Sequence, residues 1–324
     1  MSEGSTVTGN GPAVGVSPYR LTSMFHPTIL VPDLAESERW YERVFGLPSI
    51  RRETAFTPEQ DPDNRTDFST FVLIRDILMD FIDPRLMVVG GTQRFPAVDG
   101  PHLEGFGWYV DGIHELYQAM RGAGIKIVGI NREDPGDEAP FAVQSASTMF
   151  FTLPDDIGLQ YQFISPLQTT LDPRTEPNWE LGSRRDDDPL GIDFTSHHTT
   201  LTKNPERMLK LFVDLLGGTV LHEARNEALG ASSTYVRLAD GVQEIAVPDA
   251  GTPAYEDLAP RLPHDCYHSI TLKVADLEQV RRHLAAHDVA LRADTGRVII
   301  TDPKTSDGVP WGFTVDVLPG EDRC

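Results

Sequence analysis

His26 and His198 each open a short alternating stretch, while Asp80 and Glu244 each lie inside a largely apolar one. Imidazole and carboxylate are donor types that hold a transition metal or exchange protons with a bound substrate. Their placement repeats. Ser69 to Pro84, STFVLIRDILMDFIDP, aligns without a gap with Ser233 to Pro248, STYVRLADGVQEIAVP, at an offset of 164. Five of the sixteen positions are identical, enough to set Asp80 opposite Glu244 and Phe71 opposite Tyr235. Each acid stands four residues before a closing proline, Pro84 or Pro248. A carboxylate among such neighbours as Met79 and Phe81 is costly unless it is paired or meets a cation. His26 and His198 stand five residues before Val31 and Lys203, an offset of 172. His197 then points by alternation to the other face of its strand, in a structural or exposed role.

The elements that must carry these residues also repeat. HPTILVPDL, from His26, leads into a helix with Trp40, Tyr41, Val44 and Phe45 on one face, stopped at Gly46. HTTLTKNPE, from His198, leads into a second, with Leu209, Phe212, Val213 and Leu216, stopped at Gly217-Gly218. Asp33 and Asn204 can cap the two helices. Because 172 exceeds 164, the first copy carries eight extra residues between helix and acid, assigned to the polar loop Thr57 to Thr66. Two fainter copies follow. GFGWYV precedes a helix with Ile113, Leu116, Tyr117 and Met120, and SITLKV precedes one with Leu277, Val280 and Leu284. The chain therefore reads as four βαβββ modules, at about 24–90, 100–166, 194–250 and 264–319.

Two tandem domains are expected, 21–166 (modules 1 and 2) and 193–319 (modules 3 and 4), joined by the Pro- and Asp-rich linker 167–192. Residues 1–20 read as a flexible tail without a signal-peptide pattern. Within the linker, Asp186-Asp187-Asp188 is expected to be solvated. Across 324 residues, 49 acids against 28 bases give a formal net charge of −21. That field disfavours nucleic acid and anionic membranes as partners, and a strongly anionic substrate too unless a local cation overrides it. No apolar run spans a bilayer. Cytoplasmic residence is expected, with a small-molecule substrate and a monomeric or homodimeric state. With only Cys266 and Cys324, a disulfide framework and cysteine-rich zinc sites fall away. No nucleophile elbow, P-loop or dinucleotide fingerprint is present.

The string HPTILVPDLAESERWYERVFG, His26 to Gly46, resembles the opening of a vicinal oxygen chelate module. A strand with a leading His runs into Val-x-Asp-Leu, then a helix with an aromatic pair, then Phe-Gly. All four modules fit this pattern after residue 20. The resemblance implies an α+β fold in which paired glyoxalase-like modules form U-shaped mixed sheets around one divalent metal. Ligands would come from the first and last strands of each module, making His26, Asp80, His198 and Glu244 the metal ligands. The ion would be Mn, Fe, Ni, Zn or Co. Modules 2 and 4 depart: Gly105 stands where a His is expected, with Gln162 at the far end. Ser269 stands at the corresponding place in module 4, with His268 one residue earlier and Asp316 in the last strand. Should modules 3 and 4 pair, the ligands would instead be His198, His268 and Asp316, with Glu244 nearby.

The activity the resemblance implies is that of a metal-dependent isomerase or epimerase. It would act next to a carbonyl of a small polyol or cyclitol ketone, through a metal-bound enediolate, with His268 or Tyr267 as acid/base. SHHTTLT and DPKTSDGVPWGFT are also similar to the cyclitol epimerases acting on 2-epi-5-epi-valiolone. Two other classes remain open: an Fe(II) extradiol ring-cleaving dioxygenase, and a small-ligand-binding resistance protein.

Overall fold

The computed structural model describes residues 17–54, 66–89, 91–142, 147–166 and 172–323. Most of the N-terminal tail, the loop Thr57 to Thr66 up to its last residue, and residues 167–171 of the linker lie outside them. Every module opens with a long strand, runs into a helix and closes with a strand parallel to its first. The opening strands are Arg20–Leu30, His102–Asp111, Ile192–Leu201 and Cys266–Val274. The matching closing strands are Ile77–Ile82, Tyr161–Ile164, Gly241–Pro248 and Trp311–Thr314.

Helix starts follow from the residues that can cap them. Asp33, extended at its backbone, accepts a hydrogen bond from the Glu36 N–H at 3.0 Å, and Asn204 accepts one from Arg207 N–H at 3.2 Å. Gly46 ends the first helix in the left-handed conformation at φ +64°, which a side chain would strain. The first, second and fourth module helices bury the faces expected of them. The third differs. After Pro205–Leu209 it widens into a π-helix over Lys210–Leu215, which rotates the face. Met208, Leu211, Phe212 and Leu216 are buried, whereas Leu209 and Val213 are only half-buried.

Modules pair in sequence order, and the fold is α+β. In each sheet the two opening strands lie side by side and antiparallel at the centre, each flanked by its own closing strand. Modules 1 and 2 form one sheet, modules 3 and 4 the other. The helix-covered faces of both sheets share a single core. Phe45 and Tyr41 of the module 1 helix meet Trp311 of the second sheet, with ring centroids 4.9 and 6.1 Å apart. Phe212 of the module 3 helix meets Trp108 and Tyr161 of the first at 6.0 and 5.7 Å. Each aromatic buries a large apolar area, so the two halves are held by the same force that folds them. The faces turned away from the helices curl and are concave.

The linker is anchored rather than loose. Arg174 pairs with Asp172 at 2.7 Å and donates to the Phe25 and Asp76 carbonyls. Asp186 and Asp187 are exposed as expected, but Asp188 is buried and accepts from the Leu190, Gly191 and Ile192 N–H groups. No described helix is long and apolar enough to cross a membrane.

Candidate metal centre

Strand pairing reproduces the repeat in space and corrects it by one residue. Asp80 lies across from Phe71 and Glu244 across from Tyr235, as the alignment implies. On the opening strands, however, Thr28 is the partner of Asp80 and Thr199 the partner of Glu244. Two residues earlier on the same face stand His26 and His197. Alternation therefore turns His197, not His198, toward the acid. His197 Nε2 is 3.4 Å from Glu244 Oε2, and His26 Nε2 is 3.5 Å from Asp80 Oδ2. His198 faces the core, where its Nδ1 shares a 2.8 Å hydrogen bond with the Tyr267 hydroxyl and its ring stacks near Phe106.

The four ligands expected together thus do not converge. His26 and Asp80 occupy the concave face of the first sheet. Glu244, with His197, occupies that of the second. Among the described residues no three His, Cys, Asp or Glu side chains form one cluster.

The first pair is less fully answered: the Arg52 charge and the Ser69 hydroxyl act on Asp80 but do not outweigh its burial. Asp80 is 5 % exposed, its Oδ1 is buried without a hydrogen bond, and burial raises its carboxyl to about 7. Burial, with the Arg174 and Arg52 charges, lowers His26 to about 3 and leaves the imidazole neutral, as a metal requires. Thr28 Oγ1 is 3.3 Å from His26 Nδ1 and can fix the ring. In module 2, Gln162 pairs with Gly107 as Asp80 pairs with Thr28, so it stands at the equivalent position. A Cβ on Gly105 would lie 2.7 Å from the Gln160 carbonyl, and one on Gly107 2.2 Å from that of Gln162. No side chain fits there. The donors available on this face are His26, Asp80 and Gln162. Two donors about 3.5 Å apart, one oxygen orphaned, suit a shared ion at ~2.0–2.2 Å from each.

The second pair is saturated. Glu244 is fully buried, and its Oε2 accepts from the Thr199 hydroxyl at 2.6 Å. Its Oε1 accepts from the Asn226 amide at 2.7 Å and the Tyr235 hydroxyl at 2.8 Å. Burial pushes this carboxyl up, but His197, Asn226 and Thr199 together outweigh it and hold it at about 2. His197 Nδ1 is engaged by Ser196 Oγ at 3.0 Å. A cavity of about 260 Å³ opens here, with Thr199, Asn226, Tyr235, Ser269, Thr271 and Thr314 on its wall. Ser269 lies opposite Thr199, and Gly312, paired with Thr271, stands where a closing-strand acid would be. Asp316 lies two residues past the closing strand, tied to Arg297 at 2.9 Å.

Neither acid/base candidate faces the first pair. Tyr267 points into the shared core, its ring 4.5 Å from that of Phe106. His268 sits at a register shift between the pairs Thr199–Ser269 and Thr200–Tyr267. Its Nε2 meets Asp257 Oδ2 at 3.1 Å, and it lines a separate cavity of about 300 Å³ with Cys266 and His102.

Two paired modules per sheet, with a His–carboxylate pair on a concave face, define a glyoxalase-type architecture. Residues 23–155 match the model of the Glyoxalase/Bleomycin resistance protein/Dioxygenase superfamily. Solved structures extend the likeness to both halves. The Mn(II)-bound glyoxalase from Novosphingobium aromaticivorans superimposes with a TM-score of 0.55 at 15% identity, over 94% of this chain and 86% of its own. A mutant 4-hydroxymandelate synthase from Streptomyces coelicolor gives 0.59 at 11% identity, over 93% and 95%. An extradiol ring-cleaving dioxygenase from B. fuscum gives 0.54 at 12% identity, over 96% and 76%. At such identities the likeness is one of fold. No curated protein sequence matches the chain.

Proposed function

We propose that the chain is a metal-dependent isomerase or epimerase whose centre is held on the first concave face by His26 and Asp80, with Gln162 as a third donor. One observation carries this reading. Asp80 Oδ1 is buried without a partner beside a neutral imidazole, and a cation is the partner that would offset its cost. When bound, a divalent ion would hold two neighbouring substrate oxygens and ease removal of the proton next to them. The Asp80 carboxyl, which burial raises to about 7, is the base on this face that would accept that proton. Thr28 steadies the His26 ring from Nδ1, while Phe25 and Phe71 flank it at ring distances of 3.9 and 6.4 Å. Those rings keep bulk water from the proton that moves. The substrate class is a small polyol or cyclitol ketone.

Ring cleavage by dioxygen would call for two His and one carboxylate on one face. The second sheet offers His197 and Glu244, but Ser269 stands in the third place and His268 is held by Asp257. That favours proton transfer over oxygen chemistry.

The test is elemental analysis of wild type, His26→Ala, Asp80→Asn and His197→Ala, with solvent deuterium uptake into polyol ketones followed by NMR. Metal lost in the first two variants alone, with deuterium entering next to a carbonyl, supports the reading. Metal kept in His26→Ala, or oxygen consumed with catechols, would replace it.

A further inference from the structure

Among the described residues, two arginines with little-exposed side chains have a carboxylate beside them. Arg174 pairs with Asp172 at 2.7 Å, and Arg207 with Asp265 at 2.8 Å. Arg94 differs. It is 4 % exposed, and among the described residues no carboxylate stands within ion-pair distance of it. Its Nη1 has no hydrogen-bond partner, and its Nη2 has only a long contact, 3.4 Å, to Gln160 Oε1. A buried cation left unpaired is costly, so this charge is either a large defect or one half of a pair.

Its surroundings hold it in place. The guanidinium lies 4.7 Å from the centre of the Phe151 ring and 5.0 Å from that of Phe95. Phe95 clusters with Leu30 and Ile82, which follow Thr28 and Asp80 by two residues on the concave face. Gln160 precedes Gln162 by two residues, a step of roughly 7 Å along a strand. Arg94 therefore sits at one end of the face that carries His26 and Asp80. Burial, with the neighbouring Arg132 charge, lowers its guanidinium to about 10, and Glu104 and Glu133 act only from longer range.

We propose that Arg94 anchors an anionic group, a carboxylate or phosphate monoester, so that the polyol ketone binding on the first concave face is one that carries such a group. A net charge of −21 does not forbid this, because the cation acts at contact while distant acids are screened. That the anion belongs to the substrate rests on the reading of the first face as the reaction centre; the anion site itself does not.

The experiment uses the full chain treated with EDTA, so that no metal competes for the anion. Inorganic phosphate and glycolate are titrated separately by calorimetry and thermal melting, with ionic strength held constant by chloride. Wild type is expected to bind at least one and melt higher in its presence. The tighter of the two identifies the group. Arg94→Met is expected to weaken binding about tenfold or more, and to melt no lower than wild type without anion. Arg94→Lys, which keeps the charge, is expected to bind better than Arg94→Met. His26→Ala is expected to bind as wild type does, so failure of the metal reading would leave this result standing. Two outcomes overturn the proposal: neither anion binds wild type, or Arg94→Met binds as tightly as wild type.

Discussion

The two halves carry the same pair of residues in the same geometry and treat it in opposite ways. His26 and Asp80 stand 3.5 Å apart, His197 and Glu244 3.4 Å. Around Glu244 the protein supplies Thr199, Asn226 and Tyr235 as donors. Around Asp80 it leaves one oxygen bare. The difference teaches that a ligand-type pair is not itself a site. Where every lone pair is answered by the fold, the pair is structural and organises a cavity wall. Where one is left unanswered, as at Asp80 Oδ1, a partner from outside is what the proposed function supplies.

The largest test of this contrast is removal of each acid. Glu244→Ala strands three donors, two of them buried, and is expected to cost about 3–5 kcal/mol in urea unfolding at pH 7. Asp80→Asn is expected to leave metal-free protein as stable or more so. Equal losses would erase the contrast.

Next comes pH. Asp80 is raised from 3.8 to about 7, so in metal-free protein it lowers stability progressively as pH rises through that range, by roughly 2–4 kcal/mol in all. Asp80→Asn should abolish that slope. Glu244 is lowered from 4.5 to about 2, so its contribution is full above 4.5 and lost as pH falls toward 2. Unfolding free energies from pH 3 to 8 for wild type and Asp80→Asn would show whether the two acids have opposite signs.

Metal addition sharpens the contrast further. Mn(II) at a hundredfold its dissociation constant should stabilise wild type by about 2.7 kcal/mol. His197→Ala should keep that gain in thermal melts, and His26→Ala should lose it. The smallest effect is expected at His198→Phe, which removes its hydrogen bond to the Tyr267 hydroxyl. It should cost about 1–2 kcal/mol and leave metal content unchanged.

Much of the architecture was legible in the residues. The gapless match of Ser69 to Pro84 with Ser233 to Pro248 became two strand hairpins with the same cross-strand partners. The site was half legible. Asp80 and Glu244 were found because a repeat aligns equivalent residues wherever they lie. His197 was missed by matching His26 to His198, a slip of one. The signal was there: the caps Asp33 and Asn204 stand 171 apart, the offset that joins His26 to His197. In a strand a slip of one exchanges faces, so a small error in alignment becomes a complete error in side-chain direction.

Sequence by itself determined the four modules, their caps, most of the helix faces and the two acids inside apolar strands, because these depend on periodicity and repetition along the chain. Only the tertiary structure decided which modules share a sheet, which histidine meets each acid, and which carboxylate is satisfied. Those depend on donors brought from distant strands, Asn226 and Tyr235 at Glu244 and none at Asp80 Oδ1. Local pattern does not encode such partners, because they are adjacent only after the chain has folded.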